Sequence, residues 1–92
     1  MGKNDLDLRL ARHFVVLAET GHFGRAAALL FLTQSALTKQ MRALERIIGA
    51  ELIDRSCRPW RLTAAGQDVL EASRDLCARA DRAIDAARSN GL

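Results

Sequence analysis

Six side chains carry the densest chemistry in this sequence. If residues 34–48 are helical, Gln34, Ser35, Thr38, Lys39, Arg42 and Arg46 lie on one side of that helix, away from its apolar stripe. An amide and two hydroxyls followed by cations suit hydrogen bonding to base edges at one end and to phosphates along the rest. Glu45 is the only carboxylate in the segment, whereas an ordinary solvated face mixes both signs. Arg55, Arg58 and Arg61 cluster shortly afterwards around Ser56-Cys57-Arg58-Pro59, and Arg25 stands shortly before, at the start of a helical run.

Other chemistries lack their parts. No nucleophile with a paired base, no ligand cluster and no glycine loop that could cradle phosphate is present, so the reading is of a non-enzyme without metal or cofactor. Cys57 and Cys77 cannot form a disulfide framework or a four-ligand zinc site, and their presence as thiols fits a reducing compartment. His13 and His22 have no Cys, Asp or Glu at ligand spacing. No apolar run of signal-peptide or membrane-spanning length occurs, which leads to the expectation of a cytoplasmic, nucleoid-associated protein. A pure protein-interaction module would leave the acid-poor face of residues 34–46 unused.

The elements that must position these groups follow from composition and periodicity. Ninety-two residues suffice for one domain, and sixteen Ala and fourteen Leu against a single Pro favour helix. The net charge of +3 is unevenly spread, because residues 25–61 hold seven basic groups against three acidic ones. Clustered cations beside a neutral remainder are the footprint of a polyanion binder. Leu10, Phe14 and Leu17 predict a first helix over about 7–20, capped by Asp7 or Asp5 and stopped by Gly21. After the turn His22-Phe23-Gly24, Arg25–Leu30 predicts a second. Thr33 caps a third over 34–48 whose core face is Leu37, Met41, Leu44 and Ile48, with Gly49 as its stop. Leu52–Arg55 and Trp60–Leu62 then read as a small hairpin, a basic wing.

A last helix is expected from Thr63 to about Ser89. At 1.5 Å per residue it is a rod of roughly 39 Å, longer than a small core can cover. Leu70, Cys77 and Ile84 repeat every seven residues, Ser73 and Ala80 follow three positions later, and Val69 and Leu76 flank them. This narrow seam predicts pairing with a second copy. The expected fold is mainly α: a winged helix-turn-helix of three helices and a two-stranded wing over 1–63, then a linker and dimerisation helix over 64–92.

These residues resemble the N-terminal DNA-binding domain of LysR-type transcriptional regulators. The matching strings are Arg12–Glu19, Arg25-Ala26-Ala27, Thr33–Glu45, Leu52–Arg55 and Arg61–Gly66, spread over about residues 8–88. The resemblance implies that Thr33–Lys39 enters a major groove, with Gln34, Ser35, Thr38 and Lys39 facing bases or nearby phosphates. It implies that Arg58, before Pro59, reaches the adjacent minor groove. Two copies joined through residues 64–89 would present two recognition helices, so the expected target is an interrupted inverted repeat in double-stranded DNA. Arg25, Arg42 and Arg61 are expected phosphate contacts. Departures from the family pattern are Ser35 where Pro is frequent, Thr38-Lys39 where Ser-Arg is frequent, and Gly24 where a capping Ser or Thr is frequent. Members usually continue into a domain that senses a small effector, so this chain is expected to be the DNA-binding part of a longer regulator.

Overall fold

In the computed structural model, which describes residues 6–91, the chain builds from its caps inward. The Asp7 carboxylate accepts the Arg9 backbone N–H at 2.7 Å and starts α1 (Leu8–Thr20), and left-handed Gly21 (φ 74°) ends it with its N–H on Leu17. Asp5, the other candidate cap, lies outside the described residues. Ala11, Phe14 and Leu17 are the buried stripe of α1. Next, α2 (Phe23–Leu29) begins two residues before the periodic run does. The reason is His22, whose Nδ1 accepts the Arg25 N–H at 3.1 Å and takes the capping role that Gly24 cannot. Ala26 and Ala27 bury their methyl groups, letting α2 sit close to its neighbours. Leu30 and Phe31 then leave the helix, and the left-handed Phe31 (φ 58°) is 96% exposed.

Thr33 caps α3 (Gln34–Ile48) through a 3.0 Å bond from the Ala36 N–H to its hydroxyl. Leu37, Met41 and Leu44 are buried, as their spacing requires, but Ile48 is not: it is 37% exposed, in the last turn before Gly49, where the core has run out. The wing is shorter than its apolar residues suggest. Strand β1 (Ile53–Asp54) pairs antiparallel with β2 (Arg61–Leu62), with Ile53 opposite Leu62 and Asp54 opposite Arg61. Leu52 and Ile53 instead give their N–H groups to the Glu45 carboxylate, and Pro59 has none to give.

Helix α4 (Ala64–Gly91) starts at Thr63, whose hydroxyl accepts the Gly66 N–H and donates to the Glu51 carbonyl. Gly66 is needed there because a Cβ would lie 2.1 Å from the Leu52 carbonyl oxygen. Phe14, Leu17, Leu37, Met41, Leu44, Leu52, Ile53 and Leu70 form one continuous core with the alanines of α2. Burying each large side chain stabilises the fold by roughly 1.5–3 kcal/mol. Helix α4 lies along α1 as far as its fifth turn, with Arg74 on Glu19 (3.2 Å) and Arg12 on Asp81 (2.8 Å) at the edges. From Asp81 to Gly91 every residue of α4 is exposed. The radius of gyration, 14.4 Å, reflects that projection, since a compact chain of this length would have about 12 Å.

This packing corrects part of the expected pairing seam. Leu70 and Ser73 are 8% and 0% exposed within the chain's own interior, and half-buried Val69 packs against the same core. A heptad repeat does not distinguish a partner from the chain's own α1, and α1 has taken the residues of the first three turns into the core. Leu76 (44% exposed), Ile84 (47% exposed) and the half-buried Cys77 and Ala80 remain outside that core.

Candidate nucleic-acid interface

Two side-chain rows leave α3 on its outer side. Gln34 and Thr38, one turn apart, face the wing across an open-sided groove of about 440 Å³ whose far wall includes Arg55, Arg58 and Pro59. Ser35, Lys39, Arg42 and Arg46 form the second row, and all four are exposed. Gln34 is exposed and Thr38 half-buried, so the amide and the hydroxyl share a rim rather than a core. The first turn of α3 contains no acidic residue, which leaves the positive end of the helix dipole uncompensated and favourable to an anion.

Thr33 is exposed at the same end, but its hydroxyl is occupied by the cap, so its contribution is to fix where α3 begins. Among the described residues Lys39, Arg25, Arg58 and Arg61 make no ion pair within 4.0 Å. Arg42 reaches Glu45 only at 3.9 Å and remains 53% exposed, an interaction worth little in water. Arg61 stands opposite Asp54 in the hairpin. The Asp54 carboxyl is held below its ordinary value by the Ser56 hydroxyl, then by the Ser56 backbone N–H, with the Arg61 charge a smaller cause.

Glu45 is the residue whose role sequence reasoning missed. Singled out there only as the lone acid of α3, it is 8% exposed in the fold and turned inward. Its Oε2 accepts from Leu52 N at 2.8 Å and Ile53 N at 3.3 Å, and Arg55 Nη1 lies 3.4 Å from both oxygens. One buried carboxylate therefore ties α3 to the start of the wing, so the two cationic elements cannot move independently. Its inward turn also removes the only negative charge from the outer side of α3. Gln40, half-buried, joins the same scaffold from the other side by meeting His13 Nδ1 of α1. The signal that could have found Glu45 is an isolated acid on an otherwise acid-free face, seven residues before an apolar pair.

The wing and the groove floor hold the remaining candidates. Phe23 of α2 and Trp60 of the wing meet edge to face, with ring centroids 5.5 Å apart, and pack against the core from below. The Cys57 thiol is half-buried and contacts the Asp54 carbonyl. Among the described residues no group of three His, Cys, Asp or Glu could hold a metal ion, and no helix is long and apolar enough to cross a membrane.

Comparison with known proteins places this architecture. The profile for "Bacterial regulatory helix-turn-helix protein, lysR family" matches residues 8–67, from the first residue of α1 into α4. The SDS degradation transcriptional activation protein of Pseudomonas sp. is 51% identical over 83 residues, covering 90% of this chain and 27% of that protein. The HTH-type transcriptional regulator YnfL of Escherichia coli is 47% identical over 88 residues, covering 96% of this chain and 29% of its own length. The chain thus spans about a quarter to a third of the length of the curated relatives it matches. Among solved structures, Vibrio fischeri DarR in complex with DNA superposes with a TM-score of 0.86 at 32% identity, over 92% of this chain and 29% of that one. The CbnR DBD–DNA complex gives 0.86 at 37% identity, over 95% of this chain and all of that one. With its three helices, wing and α4 start all inside the matched segment, the chain belongs to the lysR family of bacterial regulatory helix-turn-helix proteins.

Proposed function

We propose that this chain reads double-stranded DNA by sequence, inserting the N-terminal half of α3 into a major groove while the wing reaches the neighbouring minor groove. The observation that carries the proposal is the exposed, acid-free outer side of α3, which shares a groove with Arg58 of the wing. Gln34, Ser35, Thr38 and Lys39 are the base-facing set, with Lys39 acting as a point charge rather than a planar fork. Arg25, Arg42 and Arg61 contact phosphate and set register, Thr33 positions the first turn, and Arg58 enters the minor groove. Relatives that are transcriptional regulators support this reading, as do similar chains solved with DNA. The same support extends to a non-enzymatic role on bacterial DNA in the cytoplasm.

The functional unit is a homodimer. Residues 1–63 supply the reading surface and 64–92 the linking helix, although the two share one core up to Ser73. Leu76, Cys77, Ala80 and Ile84 form the contact with the second copy, which would cover the exposed Leu76 and Ile84 on a helix of about 42 Å. Two α3 helices related by a two-fold axis then require an interrupted inverted repeat.

Duplexes selected from a randomised pool by the purified chain and titrated in rising salt test this. Log affinity should fall linearly with log salt, at about −0.9 per phosphate, or roughly −4 per protomer for the unpaired cations named above. Binding that is flat in salt, or no selectable duplex at all, refutes it.

A further inference from the structure

Glycine costs a helix more than any residue but proline, so Gly24 in the first turn of the seven-residue α2 calls for a reason. The backbone does not demand it, since the glycines with positive φ are Gly21 and Gly49. The space beside it does. A Cβ on Gly24 would lie 3.0 Å from Cε1 and 3.4 Å from Nδ1 of His22, and 3.5 Å from Oε1 of Gln34. The first of these is closer than carbon atoms pack, so the imidazole would have to give way. His22 has little room to do so, because the same Nδ1 accepts the Arg25 N–H at 3.1 Å, near the long end of the usual donor–acceptor range. The gap left by the missing methyl group is therefore where the α2 cap and the Gln34 amide meet.

We infer that Gly24 and His22 are positioning residues for base reading: one leaves the gap open, the other walls it with an imidazole, and together they direct the amide of Gln34. The inference rests on the DNA-reading function proposed above and adds to it two residues that act through a third. A glutamine side chain has three rotatable bonds, and it reads an adenine edge only when Oε1 and Nε2 both lie in the plane of the base. Packing that settles those bonds beforehand removes an ordering cost from the moment of contact. His22 serves both ends with one ring, since Nδ1 caps α2 while the Cε1 edge borders the gap. A side chain at position 24 would fill the gap, turning the amide out of that plane or displacing the cap.

Duplexes selected from a randomised pool by the native chain, and again by Gln34→Ala, locate the base pair that Gln34 reads. Discrimination there is the ratio of affinities for the selected base and the alternatives. Two variants probe the gap: Gly24→Ser fills it, and His22→Asn keeps a capping acceptor while removing the ring. Both should lower discrimination at that base pair by more than about twofold, with the other positions and the salt slope unchanged. In a Gln34→Ala background neither should alter it. His22→Asn carries the test by itself if circular dichroism shows Gly24→Ser unfolded. A change of less than about twofold, a loss shared by every position, or the same loss without Gln34 overturns the inference while leaving DNA reading intact. A Gln34→Ala pool identical to the native one overturns it together with the base-reading role of Gln34. Failure of the native chain to select any duplex overturns DNA reading as well.

Discussion

Replacing Glu45 is the most demanding test of how this domain is held together. In Glu45→Ala, the Leu52 and Ile53 N–H groups lose their acceptor in a place where both residues are 1% exposed, so water cannot take over. Each buried backbone donor left unpaired costs about 1–3 kcal/mol, and Arg55 loses its only carboxylate partner among the described residues besides. Removing one side of a buried, hydrogen-bonded charge contact typically costs about 3–5 kcal/mol, so the expected loss is about 3–5 kcal/mol rather than the sum of the parts. A domain of this length has about 5–14 kcal/mol in total, so the variant should fold but melt roughly 12–30 °C lower. Glu45→Gln retains one acceptor oxygen and should lose about half as much. Urea unfolding followed by far-ultraviolet circular dichroism measures both, at one protein concentration because a dimer's stability depends on it. A loss below about 1 kcal/mol for Glu45→Ala would show that the carboxylate is not the tie between α3 and the wing.

Four further outcomes follow from the same structure. Gln34→Ala should cost about 1–3 kcal/mol on the selected duplex and little on random DNA, whereas Arg42→Ala should weaken both alike; equal losses for Gln34→Ala contradict its base-reading role. Ile84→Asp should leave a folded monomer by light scattering, because Ile84 is 47% exposed, while Leu70→Asp should unfold the chain, because Leu70 is 8% exposed; a dimer surviving Ile84→Asp removes that surface from consideration. Gly66→Ala should destabilise by about 2–3 kcal/mol through collision with the Leu52 carbonyl, with Gly91→Ala silent as a control; a thermal melt in which the two behave alike refutes the close approach. Asp54 has its folded value depressed, so its contribution to the wing is present above the ordinary 3.8 and is lost only as pH falls through the lower folded value. An NMR titration should place its midpoint under 3.8 and move it upward in Ser56→Ala; a midpoint at or above 3.8 with Ser56 intact would rule out the hydrogen bonds as cause.

The order and type of the elements were legible in the sequence because each rests on local rules. Phe14 and Leu17, or Leu37, Met41 and Leu44, recur at helical spacing. Gly21 and Gly49 stop their helices by taking left-handed backbone, and Thr33 caps α3 with a hydroxyl three residues from the N–H it accepts. The acid-poor outer side of α3 is equally local: side chains at 34, 35, 38, 39, 42 and 46 point away from a stripe that must face the core. Where local rules failed, an unusual residue had taken over a familiar role, as with His22 capping α2 in place of a hydroxyl.

Three matters were decided only by the tertiary structure, and in each case because two segments distant along the chain compete for or share one surface. Sequence periodicity marked residues 69–84 of α4 as a face to be covered, but only packing divided it, giving Leu70 and Ser73 to α1 and leaving Leu76 and Ile84 outside. The Glu45 charge was visible, yet its direction was set by the Leu52 and Ile53 amides arriving from the wing. The floor of Phe23 and Trp60 exists only because residues 37 positions apart in the chain are brought edge to edge. Local spacing determines which faces a helix has; which of those faces meets protein and which is left for DNA depends on what the rest of the chain has already covered.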